Sequence, residues 1–215
     1  MSKLSHLEKQ WLSLWQRLQA KGDGHKVFLE IVRCYSEPCR AYHTLQHIQD
    51  CLDELSKCRR IPNNPDAVEM ALWFHDAVYD PQAQDNAKHA EQSTALFCQI
   101  ADEASLDTAF SQTVVKLILA TRDHREVTYY PDSRFIIDID LVSLGQPEKR
   151  FKENEKKIRR EYQDFDDTSF TAGRIAFLEA LLNRSPIYIV GLFRIQYEKQ
   201  ARENIAWAIE NLRKG

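Results

Sequence analysis

The sequence predicts an all-α protein, and three observations carry that reading. Apolar residues recur three and four positions apart in one segment after another. Most of the segments are separated by breaks bearing Gly or Pro. The 215 residues contain no internal repeat, no low-complexity tract and no linker long enough to divide them. The expectation is a single domain of about eight to ten helices, counted from the segments below.

Leu4, Leu7, Trp11, Leu14, Trp15 and Leu18 form the first helical pattern, which Gly22-Asp23-Gly24 stops. Val27, Phe28, Ile31, Val32 and Tyr35 form a second, ending before Pro38. Both read as structural, with Trp11 and Trp15 in the core. A polar turn leads into Arg40-Ala41-Tyr42-His43-Thr44-Leu45-Gln46-His47-Ile48, and the following helix runs to about Arg60, burying Ile48, Leu52 and Leu55. After the loop from Ile61, Asp66 is the expected N-cap of a helix through the apolar run Val68–Phe74. Pro81 to Gln84 is a break, and Asp85 is expected to open the next helix, with Ala90, Ala95, Leu96 and Phe97 facing inward.

Val114, Val115, Leu117, Ile118 and Leu119 predict a further buried helix ending near Thr121–His124, and Glu126 to Ser133 reads as loop. Phe135 to Gly145 begins with strand-like alternation, but its second half and a terminal glycine favour helix. Pro147 to Tyr162 is a charged helix and Ser169 to Asn183 an apolar one that Pro186 breaks. Ile187 to Ile195 is ambiguous, and the last helix is expected from about Glu198 to Leu212.

Hydrophobic residues make up 43% of the chain, enough for a substantial core, and the net charge of −3 gives no long-range pull toward nucleic acid or an anionic membrane. The first thirty residues carry charges throughout, so no signal peptide is expected, and no apolar stretch approaches the ~20 residues of a membrane span. Five cysteines (Cys34, Cys39, Cys51, Cys58 and Cys98) with no CxxC argue against a disulfide framework or thiolate zinc site. They read as small hydrophobes in a reducing, cytoplasmic setting.

The most informative stretch is Trp73-Phe74-His75-Asp76-Ala77-Val78-Tyr79-Asp80. A carboxylate beside an apolar run is costly unless its charge is compensated. The direct compensation for adjacent His and Asp is a shared metal ion; the plainer one is a hydrogen-bonded pair holding two helices together. His43 and His47 are four apart and can share a helix face. Asp138 and Asp140 lie in a third apolar segment. Two imidazoles and two carboxylates suit a divalent ion such as Zn, Mn, Fe or Mg, with water completing the sphere. Singly, each has a plainer reading: a capped or surface histidine, or an aspartate at a helix start.

The ordered set of Tyr42-His43-Thr44-Leu45-Gln46-His47, Trp73-Phe74-His75-Asp76-Ala77-Val78-Tyr79-Asp80 and Asp138-Ile139-Asp140-Leu141 resembles the HD superfamily of metal-dependent phosphohydrolases. It looks most like a bacterial group of predicted HD phosphohydrolases, and the resemblance extends to Ile158-Arg159-Arg160-Glu161-Tyr162. It implies an HD-like domain over 1–215, with a metal-binding core at about 38–145 and the helices of 4–37 and 147–213 packed on it. It also implies His47, His75, Asp76 and Asp140 as ligands of a divalent metal ion (Mn, Fe, Zn, Mg, Co or Ni), with Asp140 preferred to Asp138. His43 resembles the histidine that protonates the leaving oxygen in cyclic-nucleotide phosphodiesterases, and His124 an extra ligand in two-metal members.

A divalent ion lowers the pKa of water from 15.7 toward ~7, so hydroxide is present at neutral pH. Asp76 or Asp140 is the candidate base, Asp76 first, and His43 the candidate acid. The expected partner is a small phosphorylated substrate, a nucleotide first among them, with no nucleic acid and no membrane. The terminal amphipathic helices could pair in a homodimer. Arg40, beside the metal motif, is the favoured phosphate contact. Arg122, Arg125 and the basic residues of 149–160 follow it, though the acids of 148–161 favour a solvated mixed-charge helix. Glu91 could orient a water or substrate hydroxyl, against a plainer reading as a solvated charge. The competing functional class is a non-catalytic metal- or nucleotide-binding signalling module, followed by a scaffold with no site.

Overall fold

A computed structural model describes residues 3–81, 87–122, 124 and 130–214. Among the described residues the protein is all-helical, with ten α-helices, one 3-10 helix and no strand, as the sequence predicts. The expected start at Asp85, the Gln82–Gln84 part of the preceding break, Arg125 and the 126–129 half of the expected 126–133 loop lie outside the described residues. Two compact units divide the chain, Met1–Ile137 and Asp138–Gly215.

The first unit holds α1 (Lys3–Arg17), α2 (Gly24–Cys34), α3 (Leu45–Cys58), α4 (Pro65–Phe74), α5 (Ala87–Glu103), α6 (Thr108–Thr121) and the start of α7 (Ser133–Leu141). Its centre is α4, where every residue from Ala67 to Phe74 is buried. A helix buried along this length must be covered on most sides, and α1, α3, α5 and α6 pack against it. Trp11, Trp15, Phe28, Trp73, Phe74 and Phe97 form a continuous aromatic cluster with centroids 5.4–6.3 Å apart. Trp11 Nε1 donates to the Gly24 carbonyl at 2.8 Å. A Cβ at Gly24 would stand 2.8 Å from the Trp15 ring, so only glycine permits this approach.

The helix starts are set by side-chain caps. Asp23 accepts from His25 and Lys26 N–H, Thr44 from Gln46 N–H, and Asp107 from Phe110 N–H. The cap of α4 is Asn64, accepting from Ala67 N–H, rather than the expected Asp66. Pro65 is preorganised for the first helical position, so the cap falls on the residue before it. Asp66 instead pairs with Arg17 and Arg59, and Glu69 accepts from the same two arginines at 2.6 and 2.5 Å, tying α1, α3 and α4 together. Burial pushes the Glu69 carboxyl above its ordinary range, with both arginines opposing the rise.

The second unit holds the last turn of α7, the 3-10 helix Val142–Gly145, α8 (Glu148–Glu161), α9 (Asp167–Leu182) and α10 (Gly191–Leu212). α10 packs on the 3-10 segment, α9 and α8. Gly145 approaches Tyr197 so closely that a Cβ would lie 2.6 Å from the Tyr197 Cβ. Asn204 Nδ2 donates to the Leu144 and Gln146 carbonyls at 2.7 and 2.8 Å. α10 begins at Gly191, earlier than the expected Glu198, because the approach to it is capped from a distance. The Asp138 carboxylate accepts from Ile189 and Val190 N–H at 3.0 and 2.6 Å, and Glu198 accepts from Ile187 and Tyr188 N–H at 3.1 and 3.2 Å. Among the described residues no helix is long and apolar enough to cross a membrane.

Candidate metal centre

His47 sits in the first turn of α3, among the buried residues Ile48, Cys51 and Leu52. His75 follows the last residue of α4 with helical φ and ψ (−55° and −34°), and its N–H donates to the Ala71 carbonyl. Asp76 lies in the turn beyond it. The pair therefore ends α4 rather than lying within it. Successive residues of a helix point about 100° apart, and the turn brings both side chains to one place. His75 Nε2 is 3.0 Å from Asp76 Oδ2 and 3.2 Å from His47 Nε2, and His47 Nε2 is 3.7 Å from Asp76 Oδ2.

The fourth group is Asp140, in the last turn of α7. One ligand atom from each of His47, His75, Asp76 and Asp140 lies within 4.8 Å of all the others. Donors held ~2.1 Å from one cation stand ~3.0 Å apart at a right angle and ~3.4 Å apart at a tetrahedral angle. The separations within His47, His75 and Asp76 bracket those values. This group can hold a metal ion.

Protonation sharpens the point. His75 Nδ1 is 3.0 Å from the Leu72 carbonyl, which only accepts, so Nδ1 carries the proton. A neutral His75 then turns its Nε2 lone pair toward the Asp76 carboxylate at 3.0 Å. Two acceptors at that distance repel unless a cation or a second proton lies between them. A ligating histidine whose other ring nitrogen donates to a backbone carbonyl is the usual support of a metal site. Both histidines are buried, while the Asp76 side chain is 20% exposed and gives the cluster an opening to solvent.

The turn is braced by residues with no evident sequence signal. Tyr35 donates its hydroxyl to the Trp73 carbonyl at 3.1 Å and accepts from Asp76 N–H at 3.3 Å. Burial, with the Asp76 charge adding to it, pushes the Tyr35 phenol well above its ordinary range, so it stays protonated. Tyr35→Phe is expected to lose about 1–2 kcal/mol of stability and to weaken metal binding, checked by urea unfolding with and without metal. From α5, Ser93 Oγ accepts from Val78 N–H at 3.0 Å, and His89 Nε2 accepts from Asp80 N–H at 3.3 Å. On sequence alone Tyr35 reads as ordinary core, and Ser93 and His89 as unremarked helix positions.

The other candidates are distributed as follows. His43 precedes the Thr44 cap, so it lies in a bend and not on the α3 face shared with His47. Its half-buried ring nevertheless stands 5.9 Å from the His47 ring and 4.4 Å from the Tyr79 ring, centroid to centroid. Asp138 is fully buried and engaged with Ile189 and Val190 N–H. His124, half-buried with φ of 48°, is not part of the four-residue group, and Glu91 is exposed on α5. Arg122 is exposed at the end of α6. Arg40 is buried, with its guanidinium donating to Glu37 and to backbone carbonyls. The chain matches no family model, no curated protein and no solved structure.

Proposed function

We propose that the chain is a metal-dependent phosphohydrolase of the HD superfamily, cleaving a phosphomonoester or phosphodiester of a nucleotide or other small molecule. The observation that carries this reading is the meeting of His47 Nε2, His75 Nε2 and Asp76 Oδ2 at 3.0–3.7 Å, with Asp140 in the same group. When bound there, a divalent ion supplies hydroxide at neutral pH and neutralises phosphate charge.

The chain's own residues supply the rest. His47, His75, Asp76 and Asp140 would hold the ion. Asp76, whose Oδ2 faces the two imidazoles, takes up the proton of the attacking water. As the water oxygen bonds phosphorus, the ester P–O bond breaks. A protonated His43, adjacent to the cluster, gives its proton to the departing oxygen, an assistance typically worth 10²–10⁴-fold.

The test is turnover of a panel of nucleotides and small phosphoesters by metal-loaded protein. Phosphate release is expected with metal and not with chelator, and His43→Ala is expected to lower kcat by about 10²–10⁴-fold while sparing metal affinity. Nucleotide binding by metal-loaded protein without turnover would instead assign the chain to a signalling module.

A further inference from the structure

We infer that Arg40 is a positioning residue that fixes the spacing of the metal ligands, and not a contact to substrate. The inference rests on the metal reading above but concerns a different link, the one between the two chain segments that bring ligands to the site. Arg40 Nη1 donates both to the His43 carbonyl at 3.1 Å and to the Asp76 carbonyl at 2.8 Å, and Nη2 donates to the Ala77 carbonyl at 3.0 Å. One nitrogen thus bonds the bend that leads into α3 and His47, and the turn that carries His75 and Asp76.

The arrangement follows from the turn after α4, whose Asp76 and Ala77 carbonyls lie beyond the helix and need donors where water is excluded. Arg40 brings a cation to the turn at the end of α4 from another segment and satisfies carbonyls there that Tyr35, at Trp73, does not. Its side chain is 0% exposed, and its guanidinium lies 5.0 and 5.3 Å from the Tyr35 and Tyr79 ring centroids. Nε donates to Glu37 Oε2 at 2.9 Å, so the buried charge has an acidic partner on the solvent side. All three guanidinium nitrogens are therefore engaged within the fold. Lysine carries the charge but lacks the planar fork that reaches three carbonyls.

Two readouts on Arg40→Lys and Arg40→Met decide the matter. With Co²⁺ as the probe, affinity is expected to fall 10–100-fold, the range for groups that orient metal ligands, and the visible spectrum of the Co²⁺-loaded protein to change. In metal-free protein, the imidazole NMR signals of His43, His47 and His75 are expected to move while those of His6 and His25 stay in place. Arg40→Lys keeps the test open if Arg40→Met does not fold. Wild-type imidazole signals in a folded variant overturn the inference, as does wild-type Co²⁺ affinity with only a raised KM for phosphoester. If wild-type protein takes up no Co²⁺, the metal reading fails while the imidazole signals still judge Arg40.

Discussion

Calorimetric titration of His75→Ala and Asp76→Asn with Mn²⁺ or Zn²⁺ is expected to show affinity weakened by at least about 100-fold, or ~2.8 kcal/mol. Groups that merely orient ligands are worth 10–100-fold, and these variants remove ligand atoms themselves. Thermal melts give an independent measure. An ion at a hundred times its Kd stabilises a native state by ~2.7 kcal/mol, so wild-type protein should melt higher with metal and the variants should not. Metal-free protein gives the opposite sign for Asp76→Asn. That change is nearly isosteric and, where His75 is neutral, removes the repulsion between the Asp76 carboxylate and the His75 Nε2 lone pair 3.0 Å away. Without metal, the variant is expected to be as stable as wild type or more so. If Asp76→Asn is instead strongly destabilised and metal shifts neither melt, the pair is a structural hydrogen bond and the proposed centre is wrong.

The fold was legible wherever periodicity alone decides. α1, α2, α3, α8 and α9 lie close to where spacing and breakers put them. α4 was legible for another reason: the apolar run from Val68 to Phe74, broken only by Glu69, reads as a buried helix, and every residue from Ala67 to Phe74 is buried. The misplacements are at ends governed by distant partners. Nothing between Ile187 and Ile195 reveals that α10 starts at Gly191, because the acceptor for its leading amides is Asp138, about fifty residues earlier. Asp66 looks like a cap locally, and only Arg17 and Arg59 show where its charge is used.

The candidate site was legible as residue types but not as roles. His47, His75 and Asp76 stand out because buried ionisable groups on apolar helices need an explanation. Arg40 stood out for a weaker reason, its nearness in sequence to His43 and His47, and its guanidinium in fact points at backbone. Tyr35 and Ser93 carried no signal, because an aromatic residue on an amphipathic helix and a serine among helix residues have ordinary explanations. What distinguishes them is contact across 41 and 15 residues, which spacing does not encode.

The Asp138–Asp140 pair shows the same limit and yields the sharpest dissociation. In a strand, residues two apart share a face; in a helix they point about 200° apart. The segment is helical, so the two carboxylates serve opposite sides. Asp140 belongs to the four-residue group that can hold a metal ion. Asp138, fully buried, takes the amides leading into α10, and burial, with the Asp138 charge adding to it, pushes the neighbouring Tyr188 phenol far above its ordinary range. Asp138→Ala leaves two N–H groups without that acceptor, each costing about 1–3 kcal/mol when buried, so a loss of roughly 2–6 kcal/mol is expected in denaturant unfolding. Hydrogen exchange should accelerate most at the start of α10. Asp140→Ala, at a half-buried position, is expected to cost less than ~1 kcal/mol while abolishing the metal-dependent rise in melting temperature. If Asp138→Ala folds with wild-type stability and loses metal, while Asp140→Ala still binds it, the two roles are reversed and the ligand set must be redrawn around Asp138.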